Sequence, residues 1–200
     1  MRLLEFAAKG QRSIEWDGIR DTPMPGCRVH DLRELPIPWI KNETYDGIYS
    51  EHFIEHLEKE EGIALIQECM RILKPGGCLR TVWPSLDFVL RLESEEDMSN
   101  SDFVNHYHRF YNQVEHFHPK GFTAERKQDY VAAGIRHQKG EHKYLWSIQE
   151  MKDELKKLGF GRIKEPQYNW STFERFKGID TPGAIRAAHS AVVEAYKPWR

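Results

Sequence analysis

The sequence predicts an α/β protein built on a mostly parallel sheet, and three observations carry that reading. Short strand-like runs separated by turns fill the first half of the chain. One long amphipathic segment, Glu58 to Lys74, lies between two of these runs, as in a β-α-β crossover. Two hundred residues suit one hydrophobic core, so we expect a single domain over residues 1–200.

The candidate strands of the first half are Leu3 to Ala7, Ser13 to Asp17, Cys27 to Asp31, Tyr45 to Ser50 and Cys78 to Trp83. The helix between the last two has Ile63, Ile66, Met70 and Leu73 at helical spacing. Glu58, Glu60 and Glu61 complement the dipole of its first turn, and Lys74-Pro75-Gly76-Gly77 stops it. From 93 to 140 the periodicity fades while Phe103, His106, Tyr107, Phe110, Tyr111, His116 and His118 crowd together, which we read as an inserted helical lid. Ser147-Ile148-Gln149-Glu150 is a capping box; it opens a helix with Ile148, Met151, Leu155 and Leu158 on one face and Gly159 as its stop. Phe160 to Lys164 and His189 to Tyr196 complete a set of seven strands.

Composition narrows the function. With 40% hydrophobic and 30% charged residues the chain is globular. A formal net charge of -2 supplies no basic field for phosphate backbones, so general nucleic-acid binding is disfavoured and a small-molecule partner is expected. Cys27, Cys69 and Cys78 are odd in number and lack a C-x-x-C spacing, which suggests neither a disulfide framework nor a cysteine zinc site. No run has the length of a signal peptide core or a membrane span, so we expect a soluble, cytoplasmic protein without membrane contact. A homodimer or a protein partner stays open.

The stretch Tyr45-Asp46-Gly47-Ile48-Tyr49-Ser50-Glu51-His52-Phe53-Ile54-Glu55-His56-Leu57, followed by Arg71-Ile72-Leu73-Lys74-Pro75-Gly76-Gly77, resembles the class I S-adenosylmethionine-dependent methyltransferases. His30-Asp31-Leu32 resembles the family's acidic third-strand motif, and His142-Lys143-Tyr144 a late segment of it. The closest branch looks like small bacterial and phage-type members. The resemblance implies a Rossmann-like fold, S-adenosyl-L-methionine as cofactor and methyl transfer as the reaction.

In an open α/β sheet, ligands lie across the carboxyl ends of the strands. On that basis Asp17 is the candidate for the ribose hydroxyls, Asp31 for the adenine amine and Leu32 for a backbone and apolar contact with the ring. The resemblance implies that Ser50 and Glu51 stand beside the methionine portion. Glu5, Ala7 and Lys9 occupy the family's glycine loop, where alanine and lysine replace glycines that let backbone amides approach a ligand. The Lys9 ammonium either pairs with the cofactor carboxylate or weakens the pocket.

His52, Glu55 and His56 form an H-x-x-E-H cluster with ligand types suited to zinc, and with His52 in place of an acid it resembles the divalent-metal site of small-RNA 2′-O-methyltransferases. Because Glu55-His56-Leu57 is common in this fold without metal, we expect no metal here. His116, His118 and His142 can each reach a pocket mouth, and His116 and His118 are the preferred candidates for a catalytic base. The expected function is therefore methyl transfer from S-adenosylmethionine to an oxygen or nitrogen of a small acceptor. Two rivals stand beside it: a catalytically silent methyltransferase-fold partner protein and a metal-assisted RNA 2′-O-methyltransferase.

Overall fold

The computed structural model describes all residues except 11, 95, 96, 99, 114–116 and 200. Seven strands form one sheet: β1 (Leu3–Phe6), β2 (Trp16–Arg20), β3 (Cys27–Val29), β4 (Tyr45–Glu51), β5 (Leu73–Pro84), β6 (Gly161–Lys164) and β7 (Ser190–Tyr196). Their order across the sheet is β3-β2-β1-β4-β5-β7-β6. The first five pair in parallel, whereas β7 runs antiparallel to both β5 and β6. The α/β architecture expected from the sequence is thus present.

Side chains alternate across the sheet with the period of two that strands impose. Leu4, Phe6, Ile48, Leu79, Trp83, Val193 and Ala195 face one side. They pack there against α1 (Lys59–Ile72) through Leu65, Ile66, Cys69 and Ile72, and against α5 (Ile148–Lys157) through Met151 and Leu155. The α1 start is closed by a capping box between Glu58 and Glu61. At α5 half of the expected box forms: Ser147 Oγ accepts from the Glu150 amide at 3.1 Å, whereas the Glu150 carboxylate turns to Lys59. The helix that was expected to reach Lys74 ends at Ile72, and Lys74-Pro75-Gly76-Gly77 belongs to β5. Gly76, at φ +76°, has no room for a side chain, because a Cβ would lie 2.2 Å from the Trp199 ring.

The opposite side carries Leu3, Tyr49, Cys78, Val82, Val192 and Tyr196, together with Arg80 and Glu194 at the alternating positions. Here a segment without a long helix, running from Tyr168 to Thr181 and including the turn Glu174–Phe176, covers the strands. Arg80 is wholly buried and holds that cover in place. Its guanidinium donates to both oxygens of Asp180, to Glu194 Oε1 at 2.7 Å and to the Trp170 carbonyl at 3.0 Å. Glu194 accepts in turn from Ser171 and Thr172.

Between β5 and α5 stand α2 (Leu86–Glu93), α3 (Asp102–Gln113) and α4 (Lys127–His137). Phe88, Val89, Leu92, Phe103, Val104, Tyr111, Val131 and Ile135 give them a hydrophobic cluster of their own. A last helix, α6 (Ala184–His189), leads directly into β7. No helix among the described residues is long and apolar enough to cross a membrane.

One strand differs from expectation with consequences for the site. The second strand was expected over Ser13 to Asp17; it begins at Trp16 and continues to Arg20. Pairing of Leu3 with Trp16 sets the register, and Ile14, inside the expected strand, is 96% exposed. The nine residues from 7 to 15 join β1 to β2, and no helix occurs among those described. Ala7 occupies the left-handed region at φ +52°, and Ala8 packs so closely on β2 that a Cβ at Gly18 would come within 2.8 Å of it.

Two predictions follow from this packing. Arg80→Met leaves two carboxylates buried without their cation and should lower unfolding free energy by about 3–5 kcal/mol in urea titrations. Adding Asp180→Asn and Glu194→Gln should recover most of it, and a loss below about 1 kcal/mol for the single variant would contradict this role. Ala7→Gly relieves a left-handed alanine and should stabilise the protein by about 0.5–1 kcal/mol in the same assay.

Candidate functional site

The carboxyl ends of β1 to β4 surround a cleft of about 510 Å³. Ala7 contributes from β1, Arg20 and Asp21 from β2, His30, Asp31 and Leu32 from β3, and His52 from β4. Asp17 is absent from this rim. It opens β2 rather than closing it, opposite Leu4, and its carboxylate is taken by Arg2 and the Tyr45 hydroxyl, each at 2.8 Å. Asp17 and Asp31 therefore stand on opposite rims, so the assignment of Asp17 to a ribose fails. The three-residue shift of β2 instead brings Asp21 to the cleft, an acid that sequence alternation overlooked.

The other candidates divide into those at the cleft and those engaged elsewhere. Leu32 is buried and lines it. Asp31 lines it as well, with Arg33 bound to both its oxygens at 2.7 to 3.1 Å; hydrogen bonds from Arg33 hold its carboxyl below the usual range. Glu5 points to the face covered by the Tyr168–Thr181 segment and is neutralised by two hydrogen bonds from Arg12, at 2.8 and 2.9 Å. Lys9 reaches Thr181 Oγ1 at 3.1 Å and lines neither this cleft nor the next one. Ser50 is buried with an unpartnered hydroxyl.

Glu51 is buried at the end of β4 and accepts from the Tyr168 hydroxyl at 2.6 Å, the Thr181 amide at 3.1 Å and Arg186 at 3.1 Å. Burial alone would raise its pKa, but the Thr181 and Tyr168 hydroxyls and the Arg186 charge hold it below the ordinary carboxylate range. These partners lie more than 110 residues away in sequence, so no local pattern signals them.

A second cleft, of about 380 Å³, opens between the strand ends and the helices. Tyr107, Phe110 and Tyr111 of α3 and Ile135 of α4 form its apolar wall, and His142, Arg186 and His189 face them. His52 lines both clefts. It sits in the left-handed region at φ +51°, while its amide keeps the sheet bond to the Val82 carbonyl at 2.8 Å. Backbone held in this region is sparsely populated, and such residues concentrate at functional sites.

Of the two preferred catalytic histidines, His116 lies outside the described residues. His118 belongs to neither cleft; it donates to the Tyr130 carbonyl at 2.7 Å and packs between Phe122 and Tyr130. The histidines at the clefts are His30, His52, His56, His142 and His189. Ligand atoms of Glu55, His56 and His142 all lie within 4.8 Å of one another. Burial raises the Glu55 carboxyl to about 8 and lowers the His142 imidazole to about 4; burial also lowers His52 and His56.

The model for the methyltransferase domain matches residues 6–81, which run from the end of β1 into β5 and include the four strand ends just described. No curated protein matches the sequence. Among solved structures, a SAM-dependent methyltransferase from Archaeoglobus fulgidus aligns over 98% of this chain and 86% of its own, at 16% identity and a TM-score of 0.55. One from Thermotoga maritima, described as a possible histamine N-methyltransferase, aligns over 98% and 81%, at 14% identity and a TM-score of 0.53. Phosphoethanolamine N-methyltransferase 2 of Haemonchus contortus, in complex with S-adenosyl-L-methionine, aligns over 98% and 48%, at 14% identity and a TM-score of 0.50. At these identities the structures speak for the fold, and the domain match covers strand ends of the kind where open α/β sheets bind ligands. The chain is thus similar to the methyltransferase domain over residues 6–81 and shares the fold of these SAM-dependent methyltransferases.

Proposed function

We propose that this protein transfers the methyl group of S-adenosyl-L-methionine to an oxygen or nitrogen of a small acceptor, with the cofactor in the strand-end cleft and the acceptor in the aromatic one. The observation that carries this reading is the shared wall at His52, which makes the two clefts meet at the end of β4. Methyl transfer from a sulfonium needs the nucleophile in line with the breaking bond, and two pockets joined at one point supply that alignment.

Within the first cleft, Asp21 follows β2 and is the acid we assign to the ribose hydroxyls, in place of Asp17. Asp31 and Leu32 keep the adenine side. Arg186 lines the second cleft beside Glu51 and offers its cation to the acceptor there. Helices α3 and α4 wall the acceptor side.

The absence of a helix from the described residues between β1 and β2 favours a second reading, a silent methyltransferase-fold partner protein. Calorimetric titration with S-adenosylmethionine and S-adenosylhomocysteine separates the two. Binding with one site per chain is expected, weakened about tenfold by Asp21→Ala through loss of charge-assisted hydrogen bonds and unchanged by Asp17→Ala. No heat of binding with either ligand would put the silent reading in its place.

A further inference from the structure

We propose that the second cleft selects an aromatic acid, its ring against the α3 aromatics and its carboxylate on the free end of the Arg186 guanidinium. That this acid is the methyl acceptor rests on the methyl-transfer reading; its binding does not. The apolar wall is built from rings that fix one another. Tyr111 stacks on Phe117 with centroids 4.1 Å apart, and Tyr107 and Phe110 stand 5.2 and 5.6 Å from Tyr111. Gly134 of α4 makes room for this packing, since a Cβ there would lie 2.4 Å from the Tyr111 ring. Phe110 nevertheless stays 44% exposed, so apolar ring surface is open at the cleft. Aromatic rings pair at offset or edge-to-face distances of about 4.5–7 Å, and a planar ligand ring extends the set these residues already form.

The facing wall supplies a cation with unused donors. Arg186 gives Glu51 only its Nε, at 3.1 Å, and neither Nη1 nor Nη2 has a hydrogen-bond partner among the described residues. Glu51 does not require them, because it also accepts from the Tyr168 hydroxyl, the Thr181 amide and the Thr181 hydroxyl. A guanidinium with both terminal nitrogens unpartnered presents a planar fork that matches a carboxylate.

The remaining polar groups set the sign of the ligand charge. Burial holds the His142 imidazole down at about 4 and, together with the Arg186 charge, lowers His52, so both rings are neutral at pH 7. Lys139 and Glu141, both exposed, contribute one charge of each sign to the lining. Arg186 therefore repels an ammonium ligand and attracts a carboxylate, in a place partly withdrawn from water where charges act more strongly on each other. Under the methyl-transfer reading the donor is a sulfonium cation, and an acceptor anion on Arg186 also relieves the repulsion between those two charges. A cleft of about 380 Å³ stands toward the small end of ligand pockets, which suits one or two fused rings.

The test titrates the full chain with naphthalene-2-carboxylate in a calorimeter. Naphthalene-2-carboxamide keeps the rings without the charge, and decahydronaphthalene-2-carboxylate keeps the charge without the aromatic face. The aromatic acid is expected to bind at one site per chain, with each matched probe weaker by about tenfold or more. Its affinity should fall with rising salt, whereas that of the carboxamide should not. Arg186→Gln should make acid and carboxamide bind alike and leave S-adenosylhomocysteine affinity unchanged, and Arg186→Lys, which lacks the fork, should recover only part of the preference. Phe110→Ala, at an exposed ring, should weaken acid and carboxamide together by about threefold to tenfold with the circular dichroism retained. Wild-type protein that binds the acid no better than either matched probe, or not at all at millimolar concentration, overturns the proposal. So does displacement of the acid by S-adenosylhomocysteine, or loss of S-adenosylhomocysteine binding in Arg186→Gln, which would give Arg186 to the cofactor. Acid binding without S-adenosylhomocysteine binding would sink the methyl-transfer reading alone, and the reverse would sink the selectivity alone.

Discussion

Arg80 in the middle of β5 is a full positive charge with no access to water, and the remainder of the C-terminal third is arranged around satisfying it. A guanidinium in that position is tolerable only when carboxylates and carbonyls saturate its donors. The partners are Asp180 and Glu194, 100 and 114 residues further along the chain. Meeting both draws the Tyr168–Thr181 segment across the sheet face and fixes its register on the strands. The same segment then delivers Tyr168 and Thr181 to Glu51, Thr181 to Lys9 and the Ile179 carbonyl to Arg12.

This arrangement explains how the fold manages with so short a link between its first two strands. Where a doubly wound sheet carries helices on both faces, this protein uses α1 and α5 on one face and an irregular, ion-paired cover on the other. The side of the sheet next to the altered glycine loop is consequently built from residues late in the chain. Ala7 accepts a left-handed backbone there although glycine would adopt it at lower cost.

Local rules are broken most densely at the end of β4. His52 has a left-handed backbone, Glu55 is a buried carboxylate without donors, and His142 has a buried nitrogen without a partner. Such conflicts persist where the surrounding structure holds them and where function gains from them. They coincide at the meeting point of the two clefts, where the proposed function puts the reaction.

Much of this was legible in the sequence where the cause is local. The α1 segment, its acidic start, the Ser147 cap and the strands around Tyr45 to Glu51 follow from periodicity and end signals that neighbouring residues carry. Asp31 and Leu32 were found at the cleft because a short strand immediately precedes them. The second strand was misplaced because Ser13-Ile14-Glu15-Trp16 alternates as well as Trp16 to Arg20 does, and only pairing of Leu3 with Trp16 decides between the two registers. That pairing moved Asp17 to the far rim and Asp21 to the near one. Long-range partners decided the rest: Thr181 for Lys9, Arg12 for Glu5, Tyr130 for His118 and the ring of histidines for Glu55. Sequence determines what each side chain can do within a few residues of itself, whereas only the folded chain decides which distant group it meets and hence whether its charge is spent on structure or left for chemistry.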